Sequence, residues 1–211
     1  MKGSKARRFL TQLNRIRDET GADFQIGSQS YIYVQMLDEI KRDGPLMIGI
    51  ALCFVLLILS LAFRSPLRGL VAMAPCLLGL SWLFGAMVAV GLKVDFFNVI
   101  IIPVVIGIGV DAGVHFYSRY LADGRDSAGR VLRTVGSAVV MASITSGIGF
   151  GGLAITEHGG LKSIGQLAII GIGTTMIANL LVMPLVFWTA RTYDFEWLLP
   201  RESDRRDDAP R

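Results

Sequence analysis

The sequence predicts an all-α polytopic membrane protein with five transmembrane helices, preceded by a small α/β segment outside the membrane. Of the 211 residues, 52% are hydrophobic and only 18% are charged, which is too apolar for a soluble domain of this size. Five stretches are almost free of charge, and each is long enough to cross a hydrocarbon core of ~30 Å as a helix. These observations exclude a soluble enzyme, a nucleic-acid-binding protein and a disulfide-stabilised scaffold.

The same pattern divides the chain into three parts. Residues 1–43 are predicted to lie outside the cytoplasm as the remnant of a larger porter-type domain, residues 44–190 to form the membrane bundle, and residues 191–211 to form a charged cytoplasmic tail. The predicted membrane spans are residues 44–63, 69–92, 96–118, 134–156 and 163–190.

The N-terminal part shows the periodicity of two short helices. In residues 7–20 the apolar positions Phe9, Leu13 and Ile16 recur at helical spacing, and residues 23–26 follow as a short extended piece. Ser30 then caps a second helix, which is expected to end before Gly44-Pro45. Because about 40 residues cannot close a core of their own, we expect this part to complete a larger extramembrane domain of a longer protein.

The basic residues predict the orientation of the bundle. The connections on one side of the predicted membrane, together with the tail, carry eleven arginines, whereas the two opposite connections carry only Lys93 and Lys162. The positive-inside rule places the arginine-rich side in the cytoplasm. The C-terminus is then cytoplasmic and the N-terminus lies outside.

The third span carries a carboxylate well inside an otherwise apolar helix. Asp at a helix centre costs about 2.5 to 3.5 kcal/mol on insertion scales, so Asp111 must face protein or water. Gly107, Asp111, His115 and Ser118 fall on one stripe of the helix.

Two interpretations of Asp111 stay open at this point. As a proton relay, Asp111 and His115 would exchange protons with a water-filled crevice, since intramembrane acids mark proton or ion paths. As a structural group, Asp111 would accept hydrogen bonds from Ser143, Thr145 or Ser146 of the fourth span.

Small and polar residues elsewhere in the spans predict helix packing. Gly107 and Gly109 of the third span, and Gly147 and Gly151 of the fourth, allow close approach of neighbouring helices. In the fifth span, Thr175 and Asn179 share one face and are expected to form interhelical hydrogen bonds.

Enzymatic chemistry finds no support in the pattern. An intramembrane aspartyl protease needs a second membrane acid, and a rhomboid-type serine protease needs a histidine near its serine, but His115 and His158 are predicted at opposite faces of the membrane. The sequence contains no Walker-type phosphate loop and no Cys/His/acid cluster with metal-ligand spacing. We therefore predict a protein that is not an enzyme and that has no cofactor or metal.

Three motifs resemble the MMPL branch of the RND superfamily, which includes mycobacterial lipid exporters and hopanoid transporters and is related to the sterol-sensing-domain proteins. They are Phe97-Asn98-Val99-Ile100 through Gly107-x-Gly109-x-Asp111 to His115, then Ser143-Ile-Thr145-Ser146 with Gly149-Phe150, and Gly160-Leu161 to Gly165. The similarity covers roughly residues 28–188. It implies that the chain corresponds to the end of a porter domain and the five spans that close one transporter half, and we expect this to be the C-terminal half.

The resemblance implies a proton-motive-force-driven exporter of lipids or other hydrophobic molecules in the bacterial inner membrane, with Asp111 at the position of the proton-relay acid. Many members follow this acid with Tyr or a second acid, whereas Ala112 follows it here, so the relay is expected to depend on His115. The implied partners are membrane lipids and a hydrophobic or lipid cargo. A further partner is the missing N-terminal half of the transporter or another subunit, and the chain can also pair with a second copy of itself. No nucleic-acid partner is implied. A non-transporting, sterol-sensing-like module for lipid binding or assembly is the alternative.

Overall fold

The membrane-spanning part of the chain is a set of long helices. The structure is a computed structural model and describes residues 29–92, 96–124 and 126–193, together with Gln12, Arg15 and Glu19. The long helices are α1 Gln29–Ala62, α2 Pro66–Val90, α3 Phe96–Asp123, α4 Ala128–Ala154 and α5 Gly159–Thr192. Each contains a segment long and apolar enough to cross a membrane, which confirms the predicted five spans.

The predicted α/β character of the N-terminal part is not supported. The residues that the structure describes contain helices and no strand, and the predicted extended piece at residues 23–26 lies outside them. Arg15 and Glu19 are helical and form an ion pair of 3.3 Å one turn apart. This agrees with the helix predicted for residues 7–20 at the positions described.

The predicted break at Gly44-Pro45 is wrong. Helix α1 continues through Pro45 as one element of 34 residues, and Ser30 lies inside it instead of capping it. A proline removes one backbone hydrogen bond and crowds the carbonyl four residues earlier. Bilayer helices tolerate this loss, and here the helix continues on both sides of the proline.

The chain divides into two compact units, Met1–Gly49 and Ile50–Arg211. In the second unit, α5 contacts α2, α3 and α4, and α3 contacts both α2 and α4. Aromatic residues fill the arginine-rich end of this unit: Tyr120 stacks on Phe187 with ring centroids 4.1 Å apart, and Phe63 meets Tyr117 edge-on at 5.2 Å. These aromatic contacts pack α3 against α5 at the arginine-rich end of α3.

At the arginine-rich end, α2, α3, α4 and α5 all extend beyond the predicted spans. Helix α3 runs to Asp123, five residues past the predicted limit, and α4 begins at Ala128, six residues early. Absence of charge marks the hydrocarbon core, whereas the helices continue into the interface where charged side chains are solvated. At the opposite end, Gly91 with φ +71° ends α2, and the Leu92 N–H donates to the Met87 carbonyl at 2.9 Å.

Candidate functional site: an open polar groove on α3

Asp111 and His115 form the centre of the candidate site. They lie one turn apart on α3, and the Asp111 Oδ1 to His115 Nε2 distance is 3.4 Å. The side chains are 71% and 65% exposed, respectively. The predicted stripe therefore places an acid and an imidazole in contact on an open surface of the second unit.

The pair faces a groove between α3 and α4 with a cavity volume of about 670 Å³. The α4 wall is built mainly of small residues, which leaves room beside the carboxylate. The groove is lined by Ile108, Asp111, Ala112, His115, Ser118 and Arg119 of α3 and by Thr134, Val135, Ala138, Val139, Ala142, Ser143 and Ser146 of α4.

The three α4 side chains predicted to support Asp111 are placed differently from one another. Ser143 and Ser146 line the groove, whereas the Thr145 hydroxyl donates to the Met141 carbonyl of its own helix at 2.9 Å and is not part of the lining. In residues 96–124 and 126–193, no hydrogen bond joins Asp111 to any of the three. The close polar partner of Asp111 in this part of the chain is His115.

Charged residues lie near the arginine-rich end of α3, where Arg119 lines the groove. Ser118 donates to the Val114 carbonyl at 2.7 Å, and Arg119 forms an ion pair of 3.0 Å with Asp123. Asp126, in the α3–α4 turn, lies 3.4 Å from Arg191 at the end of α5. The polar stripe of α3 therefore leads from Asp111, deep in a span, towards a charged end.

The opposite side of α3 packs tightly against α2 and α5. A Cβ at Gly109 would lie 3.0 Å from Cys76 Sγ and 3.1 Å from Thr175 Cγ2, and a Cβ at Gly113 would collide with the Ala72 carbonyl oxygen. Glycine is therefore required at Gly113, and a side chain at Gly109 would need its neighbours to move by a few tenths of an ångström. This surface, formed by Gly109 and Gly113, is called the glycine face of α3 below.

The predicted packing glycines differ in their surroundings. Only Gly109 meets other helices. Around Gly107, Gly147 and Gly151 no atom of a neighbouring described helix lies within 4 Å of a Cβ position, so these three glycines do not form close contacts between the described helices. Close contacts missed by the sequence analysis occur at Gly79, Gly113, Gly165 and Gly171.

The predicted interhelical bonds of α5 occur at one of the two positions. Asn179 Nδ2 donates to the Gly109 carbonyl of α3 at 3.1 Å. The Thr175 hydroxyl instead donates to the Gly171 carbonyl of its own helix at 2.8 Å. The four-residue spacing of Gly171, Thr175 and Asn179, together with that of Gly109 and Gly113, is the sequence signal for this contact.

The described residues contain no group of three His, Cys, Asp or Glu side chains able to hold a metal ion. His158, predicted at the opposite face of the membrane from His115, caps the start of α5. Its Nδ1 accepts a hydrogen bond from the Leu161 N–H at 3.5 Å.

The comparisons with known proteins point to one family. The MMPL family profile matches residues 2–205. A Methanocaldococcus jannaschii protein named as a membrane protein, MJ1562, is 26% identical over 71% of the chain. The hopanoid transporters HpnN of Burkholderia multivorans and Rhodopseudomonas palustris are each 27% identical, over 49% and 51% of the chain.

These relatives are much longer than the chain. The match covers 40% of the archaeal protein and 12% of each hopanoid transporter. No solved structure gives a significant match to the chain.

Proposed function

Because the chain belongs to the MMPL family, we propose that it is part of a proton-motive-force-driven exporter of lipids or other hydrophobic molecules. The family match and the five spanning-length helices support a multi-pass membrane transport protein in preference to an enzyme. The proposal adds the energy source and the class of cargo. Similarity to two hopanoid transporters supports a lipid cargo.

The observation that carries the proposal is the exposure of Asp111 in the middle of a span. An ionisable side chain at this depth is stable only against protein or water. Its carboxylate is 71% exposed and opens on a groove of about 670 Å³, which has room for several water molecules. A carboxylate held in such a groove can be protonated and deprotonated during a transport cycle.

His115 supplies the next proton acceptor. A proton on Asp111 Oδ1 can pass to His115 Nε2 across 3.4 Å when that nitrogen is unprotonated. From the imidazole, the proton can leave along the stripe past Ser118 to the charged end near Arg119. With the arginine-rich end in the cytoplasm, this direction follows the inward proton gradient of a bacterial inner membrane.

The groove needs a covering partner in the bilayer. Lipid chains cannot solvate an ionised carboxylate or an imidazolium, so the open side of the groove is proposed to face another part of the transporter. The chain spans 12% of the two hopanoid transporters, and the covering part is proposed to be the other transporter half, with another subunit or a second copy as the alternative. Residues 1–43 would then belong to the extracytoplasmic domain and residues 191–211 to the cytoplasm.

The test uses source cells in which the gene is deleted and restored on a plasmid, so that native partners are present. Membrane vesicles from these cells receive an imposed pH gradient, and transfer of a fluorescent lipid between leaflets is measured with and without a protonophore. The proposal predicts gradient-dependent transfer that requires the restored gene. Transfer in the deletion strain at the rate of the restored strain would contradict it.

The same vesicles separate the proposal from the sterol-sensing-like alternative. A non-transporting module would bind the fluorescent lipid, and this binding would not respond to the pH gradient or to the protonophore. Saturable lipid binding without gradient-dependent transfer would therefore favour the lipid-binding or assembly function.

A further inference from the structure

Asn179 is a fully buried amide at the contact between α5 and the glycine face of α3. Its Nδ2 donates to the Thr175 carbonyl of its own helix at 2.9 Å and to the Gly109 carbonyl of α3 at 3.1 Å. Its Oδ1 has no hydrogen-bond partner among the residues that the structure describes. A buried acceptor without a partner is costly, so packing alone does not explain an amide at this position.

Polar links on the glycine face can add to its close packing in fixing the axial position of α3. Gly109 and Gly113 have no side chains to interlock with a neighbour, and hydrogen bonds between membrane helices stabilise one alignment of such faces. The other polar link on this side, from Cys76 Sγ to the Ile106 carbonyl, is 3.6 Å long and involves a weak donor. The amide bond from Asn179 is the shorter and more directional link.

Asp111 lies on the opposite side of the same helical turn. It is two residues from Gly109 and two from Gly113, which places it about 200° around the helix from each. A displacement of the glycine face therefore moves the Asp111 carboxylate by a similar amount relative to the α4 wall at Ser143. Misplacement by about 1 Å can cost roughly 10²-fold in a reaction that depends on geometry.

We propose that Asn179 is a positioning residue that fixes α3 against α5 and thereby sets where Asp111 sits in the groove. The inference rests on the proposed function for its effect on export, but its effect on Asp111 itself can be measured without export. The amide acts through the backbone of α3 and touches neither the carboxylate nor a cargo.

The surroundings of Asp111 make its protonation a suitable reporter of position. The charged and titratable groups lining the groove with it are His115 and Arg119, both on α3, whereas α4 contributes hydroxyl and apolar side chains. A movement of α3 carries His115 and Arg119 along with Asp111, so the reporter responds mainly to the changed depth and exposure against α4.

The experiment is a pH titration of the Asp111 carboxyl stretch by difference infrared spectroscopy on the purified full chain in lipid nanodiscs. The band is assigned by its loss in Asp111→Asn. Asn179→Leu and Asn179→Ala remove the amide donor. Thr175→Val is the matched control, because it removes a buried hydroxyl on the same face of α5 that bonds only α5 carbonyls.

The expected result is a shift of the Asp111 titration midpoint by about 0.5 pH units or more in both Asn179 variants and no shift in Thr175→Val. In the cell-derived vesicles, we expect at least about a tenfold loss of export per folded molecule for the Asn179 variants only. Folded Asn179 variants in which Asp111 titrates with the wild-type midpoint would overturn the proposal. Failure of both Asn179 variants to accumulate would also overturn it, because Asn179 would then be needed for folding of the bundle. A shifted midpoint in the Asn179 variants, combined with no gradient-dependent export by the wild-type protein, would uphold the positioning role and reject the proposed function.

Discussion

An alanine at Gly79 tests the close packing of α2 against α5. A Cβ at this position would lie 2.7 Å from Thr175 Cα and 2.8 Å from Thr175 Cγ2, whereas carbon atoms in ordinary contact are about 3.5–4.0 Å apart. Because Cα belongs to the backbone, a change of rotamer cannot relieve the collision. The two helices must separate locally by roughly 1 Å, which forfeits a quarter to a half of each affected contact.

Gly85 provides a matched control on the same helix. No atom of the described residues lies within 4 Å of a Cβ placed there. Both substitutions add the higher helix propensity of alanine, worth up to about 1 kcal/mol, but only Gly79→Ala adds the collision, for which overpacking data give about 1–3 kcal/mol. The difference between the two variants in free energy of unfolding is therefore expected to be about 1–3 kcal/mol, with Gly79→Ala the less stable.

The assay is reversible unfolding in mixed micelles with increasing SDS, followed by tryptophan fluorescence. Trp82, also on α2 and 39% exposed, can serve as a local probe. Equal unfolding free energies for Gly79→Ala and Gly85→Ala would contradict the close packing of α2 against α5.

Two further predictions concern the relay and the orientation. His115→Ala is expected to reduce gradient-dependent export to within about tenfold of the level of a variant that lacks the acid. Ser137→Ala on α4, whose hydroxyl bonds its own helix outside the groove lining, should stay near wild type, and equal export by both variants would exclude a relay through the imidazole. In a cysteine-free background, Asp126→Cys in the α3–α4 turn should be shielded from a membrane-impermeant thiol reagent in intact cells. Glu157→Cys in the α4–α5 turn should react with it. The reverse labelling pattern would contradict the predicted orientation.

The membrane fold was predictable because hydrocarbon imposes a simple requirement on sequence. Each span must be long and apolar, and that requirement is visible without knowing any contact. The ends of the helices were less predictable, as α4 begins six residues before its predicted span, since hydrophobicity marks the bilayer and not the hydrogen-bonded limits of the helix. The continuity of α1 through Pro45 depends in the same way on backbone geometry that a proline signal alone does not determine.

The pairing of Asp111 with His115 was predictable from the sequence, but the helix contacts that hold α3 in place were not. Asp111 stands out because a carboxylate inside a span is rare, and helical spacing brings it to His115. The contact between Gly113 and the Ala72 carbonyl depends on how two helices align in three dimensions. Thr145 could have been excluded as a groove residue by periodicity, because it is rotated by about 200° from Ser143.

Export by acid variants of the full transporter in the cell-derived vesicles is the most direct test of the central claim that Asp111 exchanges protons during transport. Asp111→Asn keeps the size and hydrogen-bonding capacity of the side chain but cannot release a proton, whereas Asp111→Glu can. Asp126→Asn in the α3–α4 turn is the control, because Asp126 pairs with Arg191 and neither residue lines the groove. With equal amounts of assembled protein, the account predicts a loss of about 10²-fold or more for Asp111→Asn, measurable export by Asp111→Glu and near wild-type export by Asp126→Asn. Wild-type, gradient-dependent export by Asp111→Asn would contradict the account.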